Sequence, residues 1–173
     1  MRPSSILDWL TRTTVICGFF VAMVLVGIGF YFVQQGAGGG ALLDQISNGN
    51  DAAIRLAEMS PEHRRVHLRG TVGLDTLYPI TYFGFFGGLA ARLAGTWRAW
   101  ALLPAGFTAV FDYIENTVQA MALAGHPPEV LLVKDIVTPL KFGGLMFAVV
   151  LMLVLVVVAM VKRMMRAKEN END

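Results

Sequence analysis

Residues 102–124, LLPAGFTAVFDYIENTVQAMALA, are apolar enough to read as a membrane-spanning helix, yet they carry Asp112, Glu115, Asn116 and Gln119. Spacings of three, four and seven residues put these four side chains on one helical face. An ionisable side chain at bilayer depth costs roughly 2.5–3.5 kcal/mol on insertion scales, so such groups face a protein interior or a watery cavity and mark a functional site. The stripe therefore implies partner helices on that face.

Those partners lie on either side in the sequence. Upstream, residues 74–94 (LDTLYPITYFGFFGGLAARLA) read as a span whose Gly84, Gly87 and Gly88 permit close helix packing. Arg92, Trp97, Arg98 and Trp100 then form a basic, aromatic turn of the kind that anchors at an interface, making spans two and three a tight antiparallel hairpin. Downstream, Gly125-His126-Pro127-Pro128 ends the third span, residues 129–136 connect, and residues 137–161 form a fourth span of mostly Val, Leu, Met and Phe after Lys141. Lys162, Arg163, Arg166 and Lys168 close it, and the acidic tail 169–173 reads as disordered.

The first span is residues 15–33 (VICGFFVAMVLVGIGFYFV), 19 residues without a charge. At 1.5 Å per residue that covers a hydrocarbon core of about 30 Å. A cleaved signal peptide is the competing reading, but the run exceeds the usual ~7–15 residues of such a segment. Residues 34–73 form a polar extramembrane loop with a glycine-rich exit at Gly36–Gly40, a weakly amphipathic stretch at 50–59, and a helix start at Ser60-Pro61-Glu62. That helix is expected to run past Gly70 and Gly73 into the membrane. The fold class is thus all-α: a polytopic membrane protein, residues 1–173 forming one bundle of four transmembrane helices with a polar first loop.

Composition agrees. The chain is 55% hydrophobic and 16% charged, with mean hydropathy +0.56. Fourteen Lys and Arg nearly balance 13 Asp and Glu without an aromatic-basic motif, so nucleic acid is not a partner. The lone Cys17 excludes an intrachain disulfide and a dithiol redox pair. Eight basic residues fall at the N-terminus, the second-to-third turn and the C-terminus, against five in the two other loops, which places both termini in the cytoplasm of a bacterial inner membrane. On that topology Asp75, His126 and Lys141 lie near the outer end of their spans, and Glu115 and Asn116 about 12–14 Å below it.

Asp75, Tyr78 and Tyr82 share a face of span two, and Pro79 cannot donate to the Asp75 carbonyl, so a carboxylate and a freed carbonyl occupy one place as a ligand or cation site would require. The alternative is that Asp75 caps the span at the water boundary. For span three the alternative is a structural network, with Glu115 paired to Lys141 and Asn116 bonded to a tyrosine. Against it, Asp75, Asp112 and Glu115 meet only Lys141 as an intramembrane cation, so one carboxyl should be protonated, hold a cation or reach water. The candidate pocket is therefore Asp75, Tyr78, Tyr82, Asp112, Glu115, Asn116, Gln119 and Lys141. His63 and His67, four apart, lack the glutamate of a zinc-protease helix, and His126 stands beside two prolines; no metal and no cofactor is assigned.

The D-x-x-x-P of Asp75 to Pro79, followed by Tyr82, and the D-x-x-E-N of Asp112 to Asn116 resemble a pattern in small bacterial four-helix membrane proteins without an assigned activity. The layout of a roughly 40-residue first loop, four spans and a basic tail is also similar to the EXPERA group of sterol isomerases and related receptors, which implies intramembrane acids holding amphiphilic amines but carries over no site residue. Three functional classes follow. One binds or translocates a small cation or amphiphile in an outward-facing acidic pocket. Another is an intramembrane enzyme, an isomerase or lipid-modifying activity, with Glu115 or Asp112 as general acid or base beside Tyr82 or Asn116. The third is an accessory subunit, a homo-oligomer or part of a larger membrane complex within the lipid bilayer.

Overall fold

The computed structural model describes residues 6–170, in which every regular element is a helix. A short α1 (Ile6–Leu10) precedes α2 (Thr13–Gly36). The loop beyond holds a 3-10 turn (Leu43–Gln45) and α3 (Gly49–Glu58), where Asn48 accepts a hydrogen bond from the Asp51 N–H and so caps the helix. Gly38 and Gly39 take φ values of 91° and 74°, which lets the chain turn back sharply after α2.

Ser60 caps the next helix as its sequence indicates, its hydroxyl accepting from the His63 N–H at 3.2 Å with Pro61 in the first turn. From Pro61 the backbone stays right-handed helical to Leu93: α4 (Pro61–Gly70), a π-turn (Thr71–Asp75), α5 (Thr76–Tyr82), a second π-turn (Phe83–Gly87) and α6 (Gly88–Leu93) abut without a break. Asp75 therefore lies inside a long helix, at the end of a widened turn, and caps nothing. Two 3-10 turns, Gly95–Trp97 and Trp100–Leu102, lead into α7 (Leu103–Leu123). A further 3-10 segment, Pro128–Val133, replaces the expected plain connection and feeds α8 (Lys134–Asn170). Helix α8 includes Glu169 and Asn170, read from sequence as disordered; Glu171–Asp173 and the basic Arg2 lie outside the described residues.

Two helical stretches, Thr13–Gly36 and Pro128–Asn170, are long and apolar enough to cross a bilayer. In each, only 6% of the most apolar window is buried within the protein, so that surface faces outward and supports membrane association. The helix Pro61–Leu93 packs between α2 and α7, and α7 packs most extensively on α8. Where α7 ends and α8 begins, Leu43, Ala52, Leu56, Met59, Ala122, Leu123 and Leu131 form a small apolar core that fastens the first loop over the helix ends. Gly49 makes this closure possible: a β-carbon there would stand 2.5 Å from the Leu131 carbonyl oxygen and 2.7 Å from the Leu132 α-carbon. Its N–H donates to Asp135 Oδ1 at 2.6 Å, tying α3 to the start of α8.

Candidate functional site

Helix α7 buries one face, and the polar stripe is on it: Asp112, Glu115, Asn116 and Gln119 are all buried together with Ala105, Thr108, Ala122 and Leu123. Opposite stands α8, whose Lys134, Thr138 and Lys141 recur at spacings of four and three and are buried too. Glu115 is enclosed completely. One of its oxygens, Oε1, accepts from the Lys134 ammonium and from the Thr138 hydroxyl at 2.7 Å, and Oε2 meets Lys141 Nζ at 2.6 Å. Two cations thus share one carboxylate.

Lys141 serves three carboxylates in turn. Its Nζ lies 2.6 Å from Glu115 Oε2, 3.2 Å from Asp112 Oδ1 and 2.6 Å from Asp44 Oδ1. Oxygens of Asp44, Asp112 and Glu115 all fall within 4.8 Å of one another, a spacing that could hold a metal ion, and the Lys141 ammonium supplies positive charge to the same three groups. Asp112 uses its second oxygen to accept from the Tyr82 hydroxyl at 3.0 Å. Asp44 comes from the first loop, and its side chain, 31% exposed, is the one wet member of the set.

Asp75 makes no ion pair among the described residues, although its side chain is buried near Asp44 and Asp112. Its carbonyl, deprived of a partner by Pro79, accepts from Asn116 Nδ2 at 2.8 Å, and one residue on, the Thr76 carbonyl accepts from the Tyr113 hydroxyl at 3.1 Å. Side chains of α7 thereby repair the backbone ladder that the proline and the π-turn interrupt. The freed carbonyl thus already accepts one hydrogen bond, and Asn116 bonds backbone where a tyrosine partner was the structural alternative. Tyr78 stacks edge-on against Tyr82 and Phe30, with ring centres 5.6 and 5.5 Å apart. Gln119 is fully buried with neither amide atom hydrogen bonded.

Of the sequence-derived set, Tyr82, Asp112, Glu115 and Lys141 come together as one hydrogen-bonded cluster. Asn116 and Asp75 join each other beside it, Tyr78 packs on Tyr82, and Gln119 lies one turn along α7. Two members escaped the sequence reading. Lys134 looked like a loop residue, so Lys141 is not the only buried cation; Asp44 sits 97 residues from the lysine it binds. The acid excess survives both additions: Asp44, Asp75, Asp112 and Glu115 are four carboxylates against the two ammonium groups of Lys134 and Lys141.

Above the cluster, His67 is buried and its Nε2 accepts from the Leu43 N–H at 3.4 Å, joining α4 to the turn that carries Asp44. Burial pushes its pKa from the ordinary 6.5 down to about 4, with Arg55 and Lys134 adding to the shift and Asp44 opposing it. No family model, curated protein or solved structure matches the chain.

Proposed function

We propose that this is a multi-pass membrane protein with four spans, both termini cytoplasmic, which binds a small cation or the cationic head of an amphiphile at an outward-facing acidic site. Spans two and three in this reading are the helix through α5 and α6 and the helix α7; the two apolar helices α2 and α8 complete the bundle. The reading follows the Lys and Arg distribution for its orientation.

The observation that carries it is the charge balance at Lys141: four buried or half-buried carboxylates against two ammonium groups, with Asp44 reaching solvent. A desolvated site with surplus negative charge gains from an added cation, because burying unpaired charge costs several kcal/mol per ion. Lys141 defines the chemistry of the ligand. A primary ammonium or a monovalent cation of similar size would meet the carboxylate oxygens that already surround Nζ, and the half-exposed Asp44 gives the site its opening to water. Glu115, held by two lysines and Thr138, is the fixed base of the site; Asp112 and Asp44 are its exchangeable walls.

Titration of purified protein with alkali cations and with short alkylamines, followed by thermal unfolding, tests this. Saturable stabilisation that disappears in Asp112→Asn is expected. Absence of stabilisation by every cation and amine would leave the cluster a structural ion-pair network.

A further inference from the structure

At the end of the molecule away from the acidic site, the turn between α6 and α7 stands against the middle of α8. Trp97, Trp100 and Pro104 on one side and Phe147, Leu151 and Leu155 on the other enclose a groove of about 440 Å³. No charged side chain lines it, and the indole N–H groups of the two tryptophans are its only polar side-chain atoms. The groove opens outward: Trp97, Trp100 and Phe147 are 69%, 65% and 61% exposed. Below it α8 runs on from Leu155 to Asn170, roughly 22 Å at 1.5 Å per residue.

The groove's face of α8 continues into two cations. From Phe147, Leu151 and Leu155, steps of three, four and four residues reach Val158, Lys162 and Arg166, all on one side of the helix. Lys162 and Arg166 are exposed and make no ion pair among the described residues. Lys162 lies about 10 Å beyond Leu155 along the axis, and helical side chains lean toward the N-terminus, so its ammonium reaches back toward the groove. Val158 fills the interval with another apolar, exposed side chain. Arg163 flanks the pair, and Glu169 stands a turn farther out, past Arg166.

We propose that this groove seats one acyl chain of an anionic phospholipid whose phosphate is held by Lys162 and Arg166. The most apolar window of α8 is 6% buried within the protein, so lipid is what surrounds the groove. Two cations on the groove's own face select a lipid of net negative charge from that surrounding, and basic residues just beyond a span attract such headgroups. Exposed indoles at the same end suit the boundary between hydrocarbon and headgroup. The site rests on α8 crossing the membrane and takes a ligand of opposite charge to the acidic cluster, which Lys141 places about 30 Å away along the same helix.

Brominated acyl chains quench tryptophan on contact, and in a Trp9→Phe background Trp97 and Trp100 are the only tryptophans left. The full chain is reconstituted in phosphatidylcholine vesicles doped with either dibrominated phosphatidylglycerol or dibrominated phosphatidylcholine. Quenching should show the anionic lipid preferred about fivefold or more, since one basic side chain near an anionic surface is worth about that factor. Lys162→Gln with Arg166→Gln, both exposed positions, should bring the ratio to about one without changing quenching by the brominated phosphatidylcholine. Ala94→Phe, which fills the groove from its lining, should lower the preference as well. Equal quenching by the two lipids means ordinary surrounding lipid only; a preference that survives the double variant, ignores Ala94→Phe, or is abolished by soluble glycerol phosphate would equally overturn the proposal. Asp112→Asn should leave the ratio unchanged, so failure here is separate from failure of the cation site.

Discussion

Asn116 Nδ2 donates to the Asp75 carbonyl at 2.8 Å, the carbonyl that Pro79, four residues later, leaves without a backbone donor. A side chain on α7 has taken the place of an amide in α5, so the two helices are joined where one of them is weakest. Asn116→Leu should therefore cost about 1–3 kcal/mol, the penalty for an unpaired buried carbonyl. Pro79→Ala restores an N–H to that carbonyl and should recover part of the loss. The double-mutant cycle, read from unfolding in detergent, should show coupling above about 0.5 kcal/mol; additive costs would mean the proline and the asparagine act separately.

Glu115→Gln leaves Lys134 and Lys141 sharing a neutral amide. Loss of one partner from a buried ion cluster costs about 3–5 kcal/mol, so a marked fall in thermal stability is expected. Asp112→Asn keeps an acceptor for Tyr82 and leaves Lys141 with Asp44 and Glu115, and should cost clearly less. Equal and large losses in both variants, with cation response unchanged, would assign the whole cluster to structure.

How far was this legible in the sequence? The stripe on α7 was readable because helical periodicity is local: four polar residues among apolar neighbours can share only one face, and that face is buried. The helix start at Ser60 and the missing N–H at Pro79 were readable for the same reason. Lys134 and Asp44 were not, since each lies in a segment that reads as polar connection and meets its partner only through tertiary packing, across 19 and 97 residues. The surplus of acids was the available signal that a further cation had to be near.

Stability should fall with acid. His67 titrates near 6.5 when unfolded and near 4 when folded, so between those values the unfolded chain binds the extra proton and stability is lost as pH drops, by at most about 1.4 kcal/mol per pH unit from this group. Above about pH 6.5 its contribution is fully present. His67→Gln keeps an acceptor for the Leu43 N–H and cannot titrate, so its unfolding temperature should vary less between pH 7 and pH 5 than that of the unaltered protein. Identical profiles would show that other groups set the acid limit.

Orientation can be read from reporters. A reporter fused after Asp173 should be active in the cytoplasm, and one inserted at Ser47, within the loop that carries Asp44, should be active on the opposite side. A periplasmic signal from the C-terminal fusion would turn the molecule over and set the acidic site against the inner leaflet.

The bond between Lys134 and Glu115 also bears on how the chain is made. Nineteen residues separate them, one at the start of α8 and the other on the buried face of α7. If α7 and α8 are both spans, as the proposed function has it, either helix passing alone from the translocation machinery into lipid would carry an unneutralised ion, whereas the two passing as a hairpin present a charge already cancelled. Helix α7 should accordingly wait beside the translocon until α8 emerges, and a chain truncated before Lys134 should stall there or be degraded.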